Sequence, residues 1–291
     1  MSPEASRPPQ QSSAGGSEEP IVEGLTPASG WHFLHLFYRL DRAALARAEA
    51  VERLRAQESL AAALGELKGT SAHESQCLAV PGHKAALGVV MAGPDLRSMH
   101  AGQMAIEASA AGPFLVPSYS FYSITEVSEY VPDEEAYAAI LRDREGMDPS
   151  STLFQTRVKQ YGARLGAMNR QRLYPEFPDW PCLCFYPMNK IRVEPHQNWY
   201  ATPFSDRMAM MTEHGKSGMK YAGKVSQVIT ASTGLDDWEW GVTLWGKNPA
   251  YLKDIVYTMR FDRASARYAA FGPFYFGYIL PPAELVDALR I

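Results

Sequence analysis

Three cysteines in 291 residues, Cys77, Cys182 and Cys184, are too few and too odd in number for a disulfide framework. They suit a reducing compartment, and with it an expected cytoplasmic location. Cys182 and Cys184 form a C-x-C pair, but no second pair follows to complete a zinc site. Alternate positions of a strand share a face, so two buried thiols are the simpler reading. No stretch sustains the roughly eighteen apolar residues of a membrane-crossing helix. The opening residues hold no apolar core for a signal peptide either. A basic excess is also missing: 28 Lys and Arg face 32 Asp and Glu, for a formal charge of −4. That balance argues against a nucleic-acid partner. What the chain has is apolar material, 46% hydrophobic against 21% charged, enough for a sizeable core.

Residues 1–27, rich in Pro, Ser, Gln, Glu and Gly, are expected to form a disordered tail. The rest contains one succession of elements twice. The first copy, residues 28–131, opens with the aromatic strand-like run GWHFLHLFYRL. Asp41 then caps an Ala- and Leu-rich helical stretch. Strands are expected at 76–81 and 84–93, a helix at 95–110, and a closing strand that begins with Gly-Pro-Phe at 112–114. The second copy, residues 182–291, starts at CLCFYPMNKIR and continues with a helix at 205–214, where Gly215 offers a stop. Two strands follow, YAGKVSQVITAS and DWEWGVTLWG, then a helix at 249–268 and a last strand opened by Gly-Pro-Phe at 272–274. Strand–helix–strand twice over is the ferredoxin-like order. The expected fold is therefore α+β: two β-α-β-β-α-β repeats in one chain, their antiparallel sheets face to face and helices outside, as a cavity-bearing dimeric α+β barrel. Residues 132–181 join the copies through a helical piece at about 152–172, expected to pack on the second copy.

Chemistry concentrates in the second copy. In FYPMNKIR the strand alternation puts Tyr186, Met188 and Lys190 on one side. A phenol, a thioether and an ammonium facing one cavity is an unusual set; a mostly apolar inner face with Lys190 reaching outward is the plainer alternative. His214 has no second histidine at i, i+3 or i+4, so a zinc cage is unfavoured, and a single axial bond to haem iron is the metal role that fits. A structural histidine near a helix end is the competing reading. Arg172 in RLYP can close a salt bridge, Ser265 in RASARY can sit within a helix, and Gln227 needs a hydrogen bond or a cavity if it faces inward. Trp238 and Trp240 read as core or subunit contact.

The stretches RLYP, FYPMNK, NWY, HG…KYAGKV.Q, GLDDWEWGVTL and MRFD..SARYA.FGPF resemble the second half of coproheme decarboxylases from Gram-positive bacteria, within the chlorite dismutase-like family. The first half is similar more loosely, through GWHFLHLFYR and SITEVSEY. The resemblance implies an oxidoreductase of haem biosynthesis. Its expected reaction is the hydrogen-peroxide-dependent oxidative decarboxylation of two propionates of iron coproporphyrin III (coproheme) to vinyl groups, yielding protohaem. Coproheme would be substrate and redox cofactor together. Residue by residue, the resemblance implies His214 as the axial iron ligand, Tyr186 as both the catalytic radical-forming tyrosine and a substrate-binding hydroxyl, and Arg172, Lys190 and Ser265 as propionate contacts. Met188 falls on a pocket position and Gln227 on the distal side of the iron. Chlorite-decomposing relatives carry an arginine where Gln227 stands, and a neutral amide holds an anionic oxidant poorly. Chlorite dismutation is thus one alternative, and a haem-binding protein without turnover is the other. A ring-shaped homopentamer and transient contact with a coproporphyrin ferrochelatase are further expectations of the resemblance, with neither membrane span nor nucleic-acid binding. Residues 191–198 look longer by about one residue than in such relatives, a departure at the pocket mouth.

Overall fold

The computed structural model describes residues 23–193 and 197–291. Most of the expected tail and residues 194–196 of the lengthened segment lie outside them. The first repeat runs β1 (His32–Leu40), α1 (Arg42–Arg47), α2 (Ala50–Glu66), β2 (Glu74–Ala79), β3 (Leu87–Gly93), α3 (Leu96–Glu107) and β4 (Leu115–Thr125). The single expected helix after Asp41 divides in two. Asp41 caps α1 by accepting from the Ala44 amide at 2.9 Å, and a Glu49–Glu52 capping box starts α2 afresh. The connector contains α4 (Glu134–Asp143) and α5 (Thr152–Leu173). The second repeat runs β5 (Cys182–Lys190), a small hairpin β6 (Arg192–Val193) and β7 (Gln197–Asn198), α6 (Phe204–Met219), β8 (Val225–Ala231), β9 (Trp240–Gly246), α7 (Pro249–Met259), α8 (Arg263–Tyr268), β10 (Ala269–Phe271) and β11 (Tyr275–Ile279). A last helix, α9 (Pro282–Leu289), ends the chain.

Each repeat orders its strands in the ferredoxin-like way, β4-β1-β3-β2 and β11-β5-β9-β8, all antiparallel. The two sheets meet edge to edge. Leu78 and Ala79 of β2 pair with Ile279 and Tyr278 of β11, while Ile124 and Thr125 of β4 pair with Ala231 and Thr230 of β8. One nine-stranded sheet thereby closes on itself, leaving no long edge among the described residues. Gly277 permits the first seam: a Cβ there would stand 2.6 Å from the Ala79 carbonyl oxygen.

The barrel is as expected, but its cavity is not. Phe33, Phe37, Phe121, Phe185, Trp245 and Tyr275 fill the interior, and Phe177 from the connector adds a ring 5.0 Å from Trp245. At the centre His35 stacks on Phe185 at 3.9 Å and shares a hydrogen bond of 2.8 Å between Nε2 and Thr243 Oγ1. Burial pushes its pKa down to about 3, so it is neutral. Ligand space must lie outside the barrel.

The outer faces of the repeats differ. On the first, Leu34, Leu36, Val89 and Met91 pack under Leu60 and Leu64 of α2, Met99 and Ile106 of α3, and Leu285 and Leu289 of α9. Each such side chain contributes roughly 1.5–3 kcal/mol on burial, and the face is sealed. On the second, Cys182, Cys184, Tyr186, Val242 and Leu244 pack under Leu252, Ile255 and Met259 of α7, with Phe271, Phe274 and Phe276 beside them. Helix α6 packs chiefly on α7 and α8 rather than on the strands. The connector, expected on the second copy, touches both: Thr125 Oγ1 donates to the Leu173 carbonyl at 2.8 Å, while Phe177 and Trp180 meet Trp245 and Lys247 of the second.

Candidate active site

The open face of the second sheet positions the predicted residues by register. Pairing aligns Tyr186 with Val242 and then Ile229, and Cys184 with Leu244 and then Gln227. Directly paired residues share a face, so Gln227 stands on the same surface as Tyr186. Gln227 is exposed there and Ile229 is 39% exposed, although both sit on a strand inside the sheet. Gln227 has no protein partner among the described residues. An uncovered amide and isoleucine on this face mark space that α6 does not fill.

Tyr186 is buried, its ring stacked on Phe274 at 4.4 Å and tilted against Phe271 at 5.7 Å. No group among the described residues accepts a hydrogen bond from its hydroxyl. Burial holds its pKa well above the ordinary phenol range, with the Cys184 thiol adding to the rise and Arg260 opposing it. It is a protonated phenol in an apolar wall. Met188 follows on the same face, paired with Trp240 on one side and Phe271 on the other. Lys190 does not reach outward. Its Nζ lies 4.3 Å from the centre of the Trp199 ring, and burial lowers its pKa to about 8 against the pull of Asp262.

Across from this face, α6 carries His214. The helix runs through Gly215 to Met219, because Gly215 keeps helical backbone and the positive φ of 75° falls later, at Gly223. His214 is therefore within the helix rather than at its stop. Its Nδ1 lies 2.8 Å from Asp262 Oδ2 and its Nε2 has no partner among the described residues. Asp262 is the residue that sequence reasoning missed. The expected helix at 249–268 breaks there, and Asp262 caps α8 by accepting from the Ser265 amide at 2.8 Å. The spacing of an acid three residues before Ser265 was the available signal. Asp262 is only 3% exposed; burial raises its pKa, but the bonds from His214 and Ser265 outweigh that and leave it low. An ionised carboxylate on Nδ1–H fixes the tautomer and leaves the Nε2 lone pair free for a metal. Ser265 Oγ sits 3.3 Å from both His214 Nδ1 and Asp262 Oδ2, inside this network.

Arg172 occupies the last turn of α5, held at the β4–β8 seam by the Thr125–Leu173 bond. Burial lowers its pKa, opposed by Glu126, yet no carboxylate forms an ion pair with it among the described residues. Arg260, another residue not picked out beforehand, lies over Phe271 at 4.2 Å and joins the charge around Tyr186. The structure thus gathers Tyr186, Met188, Lys190 and Gln227 on one sheet face and His214 and Ser265 on the helical side, while Arg172 sits at the end of α5 near Glu126. Among the described residues no cluster of three or more His, Cys, Asp or Glu could hold a bare metal ion, and no helix is long and apolar enough to cross a membrane.

A chlorite dismutase family model matches residues 47–280. The chain belongs to the chlorite dismutase-like family. Within that family it is 36% identical over 268 residues to a coproheme decarboxylase of Staphylococcus carnosus, covering 90% of this chain and 96% of that protein. It is 39% identical over 259 residues to a Natronomonas pharaonis protein named for heme binding, where the match covers 88% of this chain. The chain spans only 40% of the length of that relative. Among solved structures, a heme-binding protein of Thermus thermophilus superposes with a TM-score of 0.71 at 36% identity, over 90% of this chain and 96% of that one. A chlorite dismutase of Candidatus Nitrospira defluvii, 16% identical, shares the fold with a TM-score of 0.67, over 91% and 97% of the two chains.

Proposed function

We propose that this protein is a coproheme decarboxylase of haem biosynthesis, an oxidoreductase that converts two propionates of iron coproporphyrin III to vinyl groups. The observation that carries the reading is a pair of groups without hydrogen-bond partners among the described residues: a His214 Nε2 left free by the Asp262 bond, and a buried Tyr186 phenol on the sheet face that also carries the exposed Gln227. The residues fit such a ligand, since Arg172 and Lys190 bring unpaired cations to a wall that is otherwise aromatic.

Coproheme would supply the redox chemistry, with hydrogen peroxide as the oxidant. The protein's own residues do the rest. His214, oriented by Asp262, would hold the iron through Nε2, and Gln227 would offer it a neutral amide. Arg172, Lys190 and Ser265 anchor propionates, and Met188 shapes the pocket. Tyr186 gives up an electron and its proton, and the resulting tyrosyl radical takes hydrogen from the neighbouring propionate. For each propionate, –CH2–CH2–COO⁻ with one hydrogen peroxide and one proton yields –CH=CH2, carbon dioxide and two waters. The low-dielectric wall favours this route because it keeps the phenol protonated until it is oxidised. Gln227 works against chlorite dismutation, for which a distal cation would hold the anion. The same reading carries a homopentamer, a cytoplasmic location and transient contact with the ferrochelatase that supplies coproheme.

Adding coproheme anaerobically and then peroxide tests the proposal by mass spectrometry. Stepwise loss of two carboxyl groups is expected. Uptake with unchanged coproheme would point to a binding protein, and oxygen release from chlorite would point to a dismutase.

A further inference from the structure

Arg207 is a buried cation that the reaction above does not use. It sits in the first turn of α6 and is 4% exposed, yet no carboxylate forms an ion pair with it among the described residues. Burying a guanidinium without an anion is costly, so its surroundings need an account. Nε donates to Tyr130 Oη at 3.2 Å and Nη1 donates to the Thr202 carbonyl at 2.8 Å. Both acceptors are neutral: burial and then the neighbouring Glu129 carboxylate keep the Tyr130 phenol protonated, and the guanidinium carbon lies 5.5 Å from the centre of the Phe204 ring. Nη2 has no hydrogen-bond partner among the described residues, and it is not one of their side-chain atoms sealed from solvent without a hydrogen bond. It opens onto accessible space.

The helix says where that space lies. Arg207, Met210, Met211 and His214 recur at i, i+3, i+4 and i+7 and form the inward face of α6. Seven residues at 1.5 Å rise place Arg207 about 10 Å along the helix from His214. Tyr130 meets the Trp199 ring edge-on at 6.0 Å, and Trp199 in turn carries Lys190 Nζ at 4.3 Å. Two cations without ion-pair partners therefore flank one aromatic wall, on the side of α6 that presents His214. A porphyrin held by His214 Nε2 carries its carboxylates at its periphery, a similar span from the iron.

We infer that Arg207 is a carboxylate-binding residue of the porphyrin site, its Nη2 edge gripping one propionate while Tyr130 and Thr202 hold the guanidinium in place. The inference rests on the coproheme reading and adds an anchor to it. Planar two-pronged donation is what a guanidinium offers a carboxylate.

The test is a spectrophotometric titration of the full chain with two ligands, iron coproporphyrin III and its tetramethyl ester, which keeps ring and iron but carries no anionic carboxylates. Arg207→Gln is expected to weaken binding of the acid by about 10- to 100-fold, the loss of one charged hydrogen bond, and to leave the ester at the wild-type affinity. Equal weakening of both ligands, or none for the acid, overturns the inference. Should Arg207→Gln fail to fold by circular dichroism, Arg207→Lys is compared with the same two ligands: it keeps the charge but loses the planar fork, so a loss confined to the acid supports the inference and an equal loss overturns it. A wild-type chain that takes up neither ligand overturns the coproheme reading itself.

Discussion

Replacing Asp262 separates two tasks that one carboxylate performs. It caps α8 through the Ser265 amide at 2.8 Å, and it receives His214 Nδ1 at 2.8 Å. Asparagine caps a helix about as well as aspartate, whereas alanine forfeits roughly 1 kcal/mol at such a position. Asparagine, however, lacks the negative charge that fixes the imidazole. Loss of an outer partner to a metal-binding histidine typically costs 10- to 100-fold in affinity. Asp262→Asn should therefore melt close to wild type while binding coproheme about 10-fold or more weakly, with a weakened iron–histidine stretch in resonance Raman. Asp262→Ala should show the same binding defect plus about 1 kcal/mol of lost stability in urea unfolding. If Asp262→Asn binds coproheme at wild-type affinity with an unchanged iron–histidine stretch, Asp262 does not set the state of His214 and the reasoning fails.

Lys190 has a pKa lowered to about 8, so it loses its charge as pH rises through that value. Affinity for the anionic substrate should fall between about pH 7 and 9, and Lys190→Gln should flatten that part of a binding-against-pH curve. His35 titrates near 6.5 when unfolded but only near 3 in the barrel, so the unfolded chain binds the extra proton between those values. Stability should therefore fall on acidification from pH 6.5 toward 3, with this residue contributing up to about 1.4 kcal/mol per pH unit. His35→Leu should remove that slope in urea titrations, and an unchanged slope would show that His35 is protonated in the fold. Tyr186→Phe should still bind coproheme, which His214 and the cations at the propionates hold, yet fail at the first decarboxylation in a peroxide-chase assay.

Local pattern carried much of this arrangement. The duplicated strand–helix order and the repeated Gly-Pro-Phe were visible in the chain, and strand alternation alone placed Tyr186, Met188 and Lys190 together. The barrel was expected, but which strands form its seams was not legible, because the β2–β11 and β4–β8 pairings join residues far apart in sequence and leave no periodic trace. Nor was the sealing of the first repeat by α9, a helix from the far end of the chain: Arg42 Nη1 donates to the Leu289 carbonyl at 2.7 Å. That packing makes two similar repeats unequal, one closed by aliphatic side chains and one left open. Gly215 misled because glycine stops a helix only where the backbone turns left-handed, and here the helix continues. Asp262 and Arg207 were missed for a common reason: an acid before a helix and an arginine within one are ordinary until tertiary contacts place them against His214 and Tyr130.

The central claim is that Tyr186, facing coproheme held by His214, turns peroxide into two decarboxylations. Counting peroxide consumed against carbon dioxide and protohaem formed tests it most directly. Two peroxides and two carbon dioxides per protohaem are predicted for the wild-type chain, with no carbon dioxide from Tyr186→Phe. Peroxide consumed without carbon dioxide in the wild type, or normal stoichiometry in the phenylalanine variant, would contradict it.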